Sequence, residues 1–363
     1  MKISVAMATY NGERFIREQL DSLAAQTRLP DELVVVDDCS TDQTREIVAD
    51  FAGSAPFPVR AAVNPRNLGW SDNFLAAMSA CDGDWIALCD QDDVWMPEKL
   101  AKIERNIVEN AARQDVVLWA HSARVADEGL QPSHVVYPSI PRRRITTGRR
   151  FPVAWFLPGF SLVIRADLAR RLCEFAADRG PDQTAPGIRM AHDRYIFQMA
   201  RSVGAIGLLP DVLVLYRRHG ATATQTFRGG NETVHASREW LARIRLAFDV
   251  GDEDSYSKHS GAARSLARIL GRWARVESNP AWRARLLSTE KEYDAYAEWA
   301  ETRSRLYGEP RMIRRIGALA RALRQRGYAK FYGGAWRQGT RALAKDAVVT
   351  AVGAHRLRGR RDT

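Results

Sequence analysis

Trp85-Ile86-Ala87-Leu88-Cys89-Asp90-Gln91-Asp92-Asp93 sets five apolar residues directly before three carboxylates. A short apolar run with a sharply polar end reads as a buried parallel strand. Ile3 to Thr9 and Leu33 to Val36 read the same way, so Trp85 to Cys89 is the third such run. Between them, Glu13 to Gln26 places Phe15, Ile16, Leu20 and Leu23 on one helical stripe. Asp42 to Phe51 follows Ser40 and Thr41, which suit helix caps. Strand and helix in alternation predict an α/β sheet wound through right-handed crossovers. Ligands on such sheets bind beyond the carboxyl ends of the strands. Thr9-Tyr10-Asn11-Gly12, Asp37-Asp38-Cys39-Ser40 and Asp90-Gln91-Asp92-Asp93 all fall there and converge on one crevice.

The first strand ends in Thr-Tyr-Asn-Gly rather than GxGxxG, so the dinucleotide phosphate cradle is missing and a dehydrogenase is disfavoured. Acids crowded at a buried strand end raise one another's pKa unless a cation offsets them. Carboxylates suit Mg²⁺ or Mn²⁺, ions that also bridge diphosphate oxygens. A capped turn with solvated acids is the plainer alternative for one triplet. It weakens because Asp37 and Asp38 end the preceding strand in the same manner.

From about Arg113 to Arg218, strand-like runs (Val116 to Trp119, Ser161 to Ile164, Leu208 to Leu215) mix with helical ones (Arg165 to Ala177, Ala191 to Val203). This segment extends the sheet. After Gly229 the pattern turns helical, with Trp240, Leu241, Ile244 and Leu246, then Leu266, Ile269, Leu270 and Trp273. Gly251 to Gly261 is polar and reads as a loop.

Hydrophobic residues make up 45% of the 363 and charged ones 27%, as in ordinary globular proteins. Cys39, Cys81, Cys89 and Cys173 lack CxxC spacing and read as reduced thiols. The N-terminus passes straight into a strand without an apolar leader, so the expectation is a cytoplasmic chain. Glu301 to Thr363 holds 16 Lys and Arg against 4 Asp and Glu, which accounts for the whole net charge of +11. A nucleic-acid enzyme carries basic charge across its working face; here it sits in a tail, so nucleic acid is not an expected partner. In that tail Met312, Ile316, Leu319 and Leu323 recur at helical spacing among Arg311, Arg314, Arg315, Arg321 and Arg324. Two readings stay open: a helix lying on an anionic membrane at its inner face, or one packed on the catalytic domain with a solvated basic face.

Met1 to about Leu100 resembles the inverting glycosyltransferase family 2. The resemblance rests on Ala8-Thr9-Tyr10-Asn11-Gly12, Val34-Val35-Val36-Asp37-Asp38-Cys39-Ser40-Thr41-Asp42, Asn67-Leu68-Gly69 and Asp90-Gln91-Asp92-Asp93 in that order. Cys89 to Leu100 further resembles the bacterial rhamnosyltransferase-like branch, which implies rhamnose as a candidate sugar. The implied fold is GT-A, a Rossmann-like mixed α/β sheet with helices on both faces, followed here by a helical C-terminal region. Residues 1–112 would form the donor half, 113–229 the acceptor half, and 230–363 the helical basic region.

The resemblance also implies roles. Thr9, Tyr10 and Asn11 would line the nucleotide-sugar site, Tyr10 stacking on the base. Asp38 would accept a base N–H, favouring a UDP or dTDP sugar, and Asn67 and Gly69 would shape the donor loop. Asp90 would lie near the ribose or diphosphate, and Asp92 would ligate the metal, with Asp93 a neighbour. His219 would complete the metal shell, and Arg217 and Arg218 would meet the diphosphate. Asp193, opening a helical run after His192, would take the proton from an acceptor hydroxyl on a saccharide or lipid-linked glycan. A helix cap is its plainer reading, and packing is that of His192. Two rivals remain: a sugar-nucleotide nucleotidyltransferase, which needs a basic Gly-rich loop that Thr9 to Arg17 does not provide, and an inactive GT-A-like binding protein.

Overall fold

The computed structural model describes residues 1–153, 155–180, 190–220, 253–331 and 336–352. Its centre is one mixed sheet. Strands β1 (Ile3–Thr9), β2 (Glu32–Asp37), β3 (Val59–Val63) and β4 (Trp85–Cys89) run parallel in the order β3-β2-β1-β4. Helices α1 (Ile16–Ala24), α2 (Thr44–Ser54) and α3 (Trp70–Ser79) make the crossovers. Beyond β4 and the short β5 (Val94–Trp95) comes α4 (Lys99–Glu109). Then β6 (Val116–Ala126), β7 (Pro132–Val136), β8 (Arg144–Thr147), β9 (Leu162–Arg165) and β10 (Ala205–Arg217) extend the sheet. β9 lies antiparallel between β4 and β6, which makes the sheet mixed.

Side chains alternate across β1. Ile3, Val5 and Met7 meet Ile16 and Leu20 of α1 and Ile103 of α4 in one core, while Ala6 and Ala8 join Phe74 and Met78 of α3 in the other. Each large side chain buried this way contributes about 1.5–3 kcal/mol. Helices α5 (Ala166–Glu174) and α6 (His192–Val203) cover the second face, backed by α7 (Glu253–Val276) and α8 (Pro280–Gly308). Leu266, Ile269, Leu270 and Trp273 are buried there with Tyr195 and Met199 of α6. Helices α9 (Met312–Arg324) and α10 (Trp336–Val352) complete the described chain. None of the described helices is long and apolar enough to cross a membrane.

Three expectations are corrected. Trp85–Cys89 is the fourth strand, because the edge strand Val59–Val63 is almost wholly solvent-facing and carries no burial pattern. Asp42, rather than Ser40 or Thr41, receives the first backbone N–H of α2, that of Thr44 at 3.1 Å. The segment read as a loop from Gly251 is helical from Glu253, with Ser257 and Lys258 turned to solvent, so it lacks an apolar stripe. Trp240, Leu241, Ile244 and Leu246 lie outside the described residues.

Candidate functional site

Parallel register aligns the strand ends: Thr9 stands opposite Asp37, and Met7 opposite Cys89. The chain turns sharply after both β1 and β2, with Asn11 (φ 47°) and Cys39 (φ 66°) left-handed. Asn11 tolerates this conformation better than most residues.

The first two ends are laced together by hydrogen bonds. Thr9 is buried, and its hydroxyl donates to Asp37 at 2.8 Å. Ser40 donates its N–H to Asp37 at 2.8 Å and its hydroxyl at 2.6 Å, while its Oγ accepts the Asn11 N–H. Asn11 Oδ1 accepts the Thr41 N–H at 2.9 Å. Asp38 is buried and accepts from Asn64 Nδ2 at 2.7 Å and from the N–H groups of Leu68 and Gly69, both at 2.8 Å. Asn67 Nδ2 donates to the Asp38 carbonyl at 3.0 Å. The loop from Asn67 to Gly69 therefore hangs on Asp38. Gly69 sits at φ 83° with open space where a Cβ would project, so backbone conformation, not crowding, demands glycine there.

Gln91 ties this framework to the acidic end of β4. Its Oε1 accepts the Tyr10 N–H at 2.9 Å and its Nε2 donates to the Tyr10 carbonyl at 3.0 Å. Tyr10 itself remains exposed, as a stacking platform requires.

The acidic end is differently furnished. His219 Nε2 lies 2.9 Å from Asp92 Oδ2, and its ring packs on Phe15 with centroids 4.6 Å apart. Burial, then the Asp92 and Asp193 charges, push the Asp90 carboxyl up to about 8, with Lys99 opposing. Asp93 is fully buried; one oxygen accepts the Arg217 N–H at 2.9 Å and the other has no partner, and burial and its acidic neighbours hold its carboxyl far up. Asp193 occupies the first turn of α6 behind Ala191, which holds the cap position, and its charge reaches both Asp90 and Tyr137. Asp90, Asp92, Asp193 and His219 thus share one electrostatic neighbourhood drawn from β4, α6 and the end of β10.

Arg217 departs from its expected phosphate-binding role. Its side chain is buried, with Nε donating to the Asp92 carbonyl at 2.7 Å, Nη1 to the Glu128 carbonyl at 2.6 Å and Nη2 to Glu18. With its donors engaged inside the fold, it is a strut for the Asp92 backbone. Arg218 is half-exposed, its Nη1 donating to the Tyr216 hydroxyl at 2.8 Å. His192 is buried against Phe74, centroids 4.0 Å apart, and burial pushes it down to about 3, so it packs as a neutral ring.

Lys99 carries no role in the sequence reading. It is fully buried, with Nζ donating to the Phe160 carbonyl at 3.0 Å and standing 3.4 Å over the Trp95 ring. Burial pushes it down to about 7, and its charge opposes those of Asp90 and Asp93 from below. A lysine at a helix start signals solvent, so only the fold reveals this one. Asn64, Asn73 and Gln91 were equally hidden, because their partners come from other strand ends.

Among the described residues no three acidic, His or Cys side chains form a preformed metal cage. Asp92 and His219 do form a pair in contact, one hard carboxylate and one imidazole, both of them groups that can ligate a divalent cation.

A mixed sheet with parallel leading strands, a loop hung on Asp38 and an acidic end on β4 is an α/β sheet of the GT-A type. Residues 4–173, just under half of the chain, match the model for glycosyl transferase family 2, and this stretch is similar to that family. An uncharacterized protein of Mycobacterium tuberculosis is 31% identical over 221 residues, covering 60% of this chain and 59% of the relative. An uncharacterized glycosyltransferase of Nostoc is 30% identical over 225 residues, 61% of this chain and 66% of the relative. The chain thus spans less than two thirds of these relatives' length. The 1–349 fragment of Staphylococcus aureus TarS superposes with a TM-score of 0.54 at 18% identity, covering 99% of this chain and 92% of that one, which shows a shared fold.

Proposed function

We propose that the chain is an inverting glycosyltransferase that moves a sugar from a nucleoside-diphosphate donor to a hydroxyl of a saccharide or lipid-linked glycan in cell-surface polysaccharide synthesis. The observation that carries this reading is the Asp92–His219 contact within reach of the Asp90 and Asp193 charges. Residues 1–112 then serve the donor, 113–229 the acceptor, and the C-terminal region from residue 230 a membrane-facing role.

Tyr10 stacks on the base. Asp38, holding three donors, keeps one lone-pair site for a base N–H, since a carboxylate offers about four. A uracil or thymine donor follows, and the TarS fragment, also solved with UDP, supports it. The Cys89–Leu100 resemblance favours rhamnose as the sugar. Asp92 and His219 would hold Mg²⁺ or Mn²⁺, which supplies Lewis-acid stabilisation of charge developing on a departing diphosphate. Asp90 and Arg218 face the same anionic group. Asp193 accepts the proton of the acceptor hydroxyl as that oxygen attacks the anomeric carbon, and the positive end of α6 favours its negative charge. One displacement inverts the anomeric configuration.

Thermal shifts with UDP-, dTDP- and GDP-sugars in the presence of Mn²⁺ test the donor class, because a selective ligand stabilises the folded state by mass action. A uracil or thymine sugar should raise the Tm more than GDP-sugars. Equal or absent shifts, together with transfer that survives exhaustive chelation, would overturn the reading.

A further inference from the structure

Helix α9 is oriented against its own sequence pattern. The apolar stripe of such a helix usually faces the protein. Here Met312 is 52% exposed, Ile313 81%, Ile316 50% and Leu323 45%, while Arg315 is 4% exposed and Ala322 1%. Arg315 turns inward, donating from Nε to the Thr350 carbonyl at 3.0 Å and from Nη1 to the Pro310 carbonyl at 2.7 Å, and so pins α9 to the end of α10. Leu319 rests on the small cluster of Leu306, Tyr307 and Val349. At about 100° per residue, Met312, Ile313, Ile316 and Leu323 fall in one outward sector; Arg324 borders its Ile313 edge, and Arg321 and Arg314 follow about 80–100° further round the same flank, all exposed. The helix contains no acidic residue.

We propose that α9 is a membrane-surface anchor whose outward apolar sector enters the acyl boundary of an anionic bilayer while Arg321 and Arg324 on its flank reach lipid phosphates. A second copy of the chain would cover the apolar sector but bring another arginine-rich flank against the first, in which Arg314 is the arginine with an acid beside it, Glu309 at 3.7 Å. A bilayer presents both complements at once, anionic headgroups with an apolar layer just beneath, and needs only about 5–10 Å of insertion. This inference sharpens the general expectation of membrane contact by naming the face. It stands whether or not the glycosyltransferase reading holds, because vesicle binding is measured without donor or acceptor.

The full-length chain should cosediment with vesicles of phosphatidylcholine mixed with phosphatidylglycerol and not with phosphatidylcholine alone. Arg321→Gln with Arg324→Gln should lower the partition coefficient about 25-fold, roughly fivefold per arginine, and high salt should do the same. Ile313→Ser with Ile316→Ser should lower it at least about tenfold. Ile313→Phe should raise it, which separates insertion from loss of fold. Equal partitioning of parent and variants, equal binding to neutral vesicles, or a dimer dissociated by the serine pair without vesicle binding would each overturn the proposal.

Discussion

The ends of β2 and β4 each present consecutive or near-consecutive aspartates, yet their surroundings are opposite. Asp37 and Asp38 receive every donor their neighbours can offer: Thr9, Ser40, Asn64 and the N–H groups of Leu68 and Gly69. Asp90 and Asp93 receive few, both feel the charge of Asp92 and Asp90 also that of Asp193, and both are pushed toward the protonated form. Saturated acids build a frame, since removing them strands buried donors. Acids left in mutual repulsion mark a place where a cation improves the electrostatics on binding. The lesson is that the role of an aspartate is set by how many donors the fold aims at it.

The contrast can be broken from either side. Asp92→Ala should lower transfer by about 10³-fold, equivalent to ~4 kcal/mol, while leaving the Tm of the metal-free chain unchanged or higher. Activity assays beside calorimetric melting check both halves; a large loss of stability would place Asp92 among the framework acids. Asp38→Ala should instead be felt first in the fold, costing about 3 kcal/mol of folding stability because three donors lose their acceptor. Urea unfolding measures it, and a change below about 1 kcal/mol would dissolve the distinction.

A smaller, pH-dependent effect sharpens it. The Asp90 carboxyl is raised from the usual carboxylate range to about 8, so between about pH 4 and 8 the folded chain holds a proton that the unfolded chain has lost. Its contribution to stability therefore falls as pH rises through that window and levels off above it. Lys99 and His192, both pushed down, act in the opposite sense over their own ranges. The difference in Tm between Asp90→Asn and the parent reads the loss of this carboxyl together with its effect on Asp93 and Lys99, and should grow with pH from about 4 to 8 in metal-free buffer. A difference independent of pH would contradict the assignment.

Much of this arrangement is legible in sequence. β1, β2 and β4 announce themselves as apolar runs with polar ends, and a parallel sheet places those ends together without further information. The edge strand β3 does not, because its residues face water. Direction is a second blind spot. Periodicity shows that Met312, Ile316 and Leu323 share a face, but not that the face looks outward. The charge of Arg217 suggests phosphate, yet carbonyls of Asp92 and Glu128, distant in sequence, turn it into a strut. Lys99 is likewise defined by what closes over it, the Phe160 carbonyl and the Trp95 ring.

The proposed meeting of Asp92 and His219 around a cation is tested directly with Mn²⁺ by pulsed electron paramagnetic resonance in the presence of UDP. The spectrum should show nitrogen modulation from one imidazole, absent in His219→Ala, with Mn²⁺ affinity strongly reduced in Asp92→Ala. Modulation that persists in His219→Ala, or Mn²⁺ held equally well without the Asp92 carboxylate, would contradict the account.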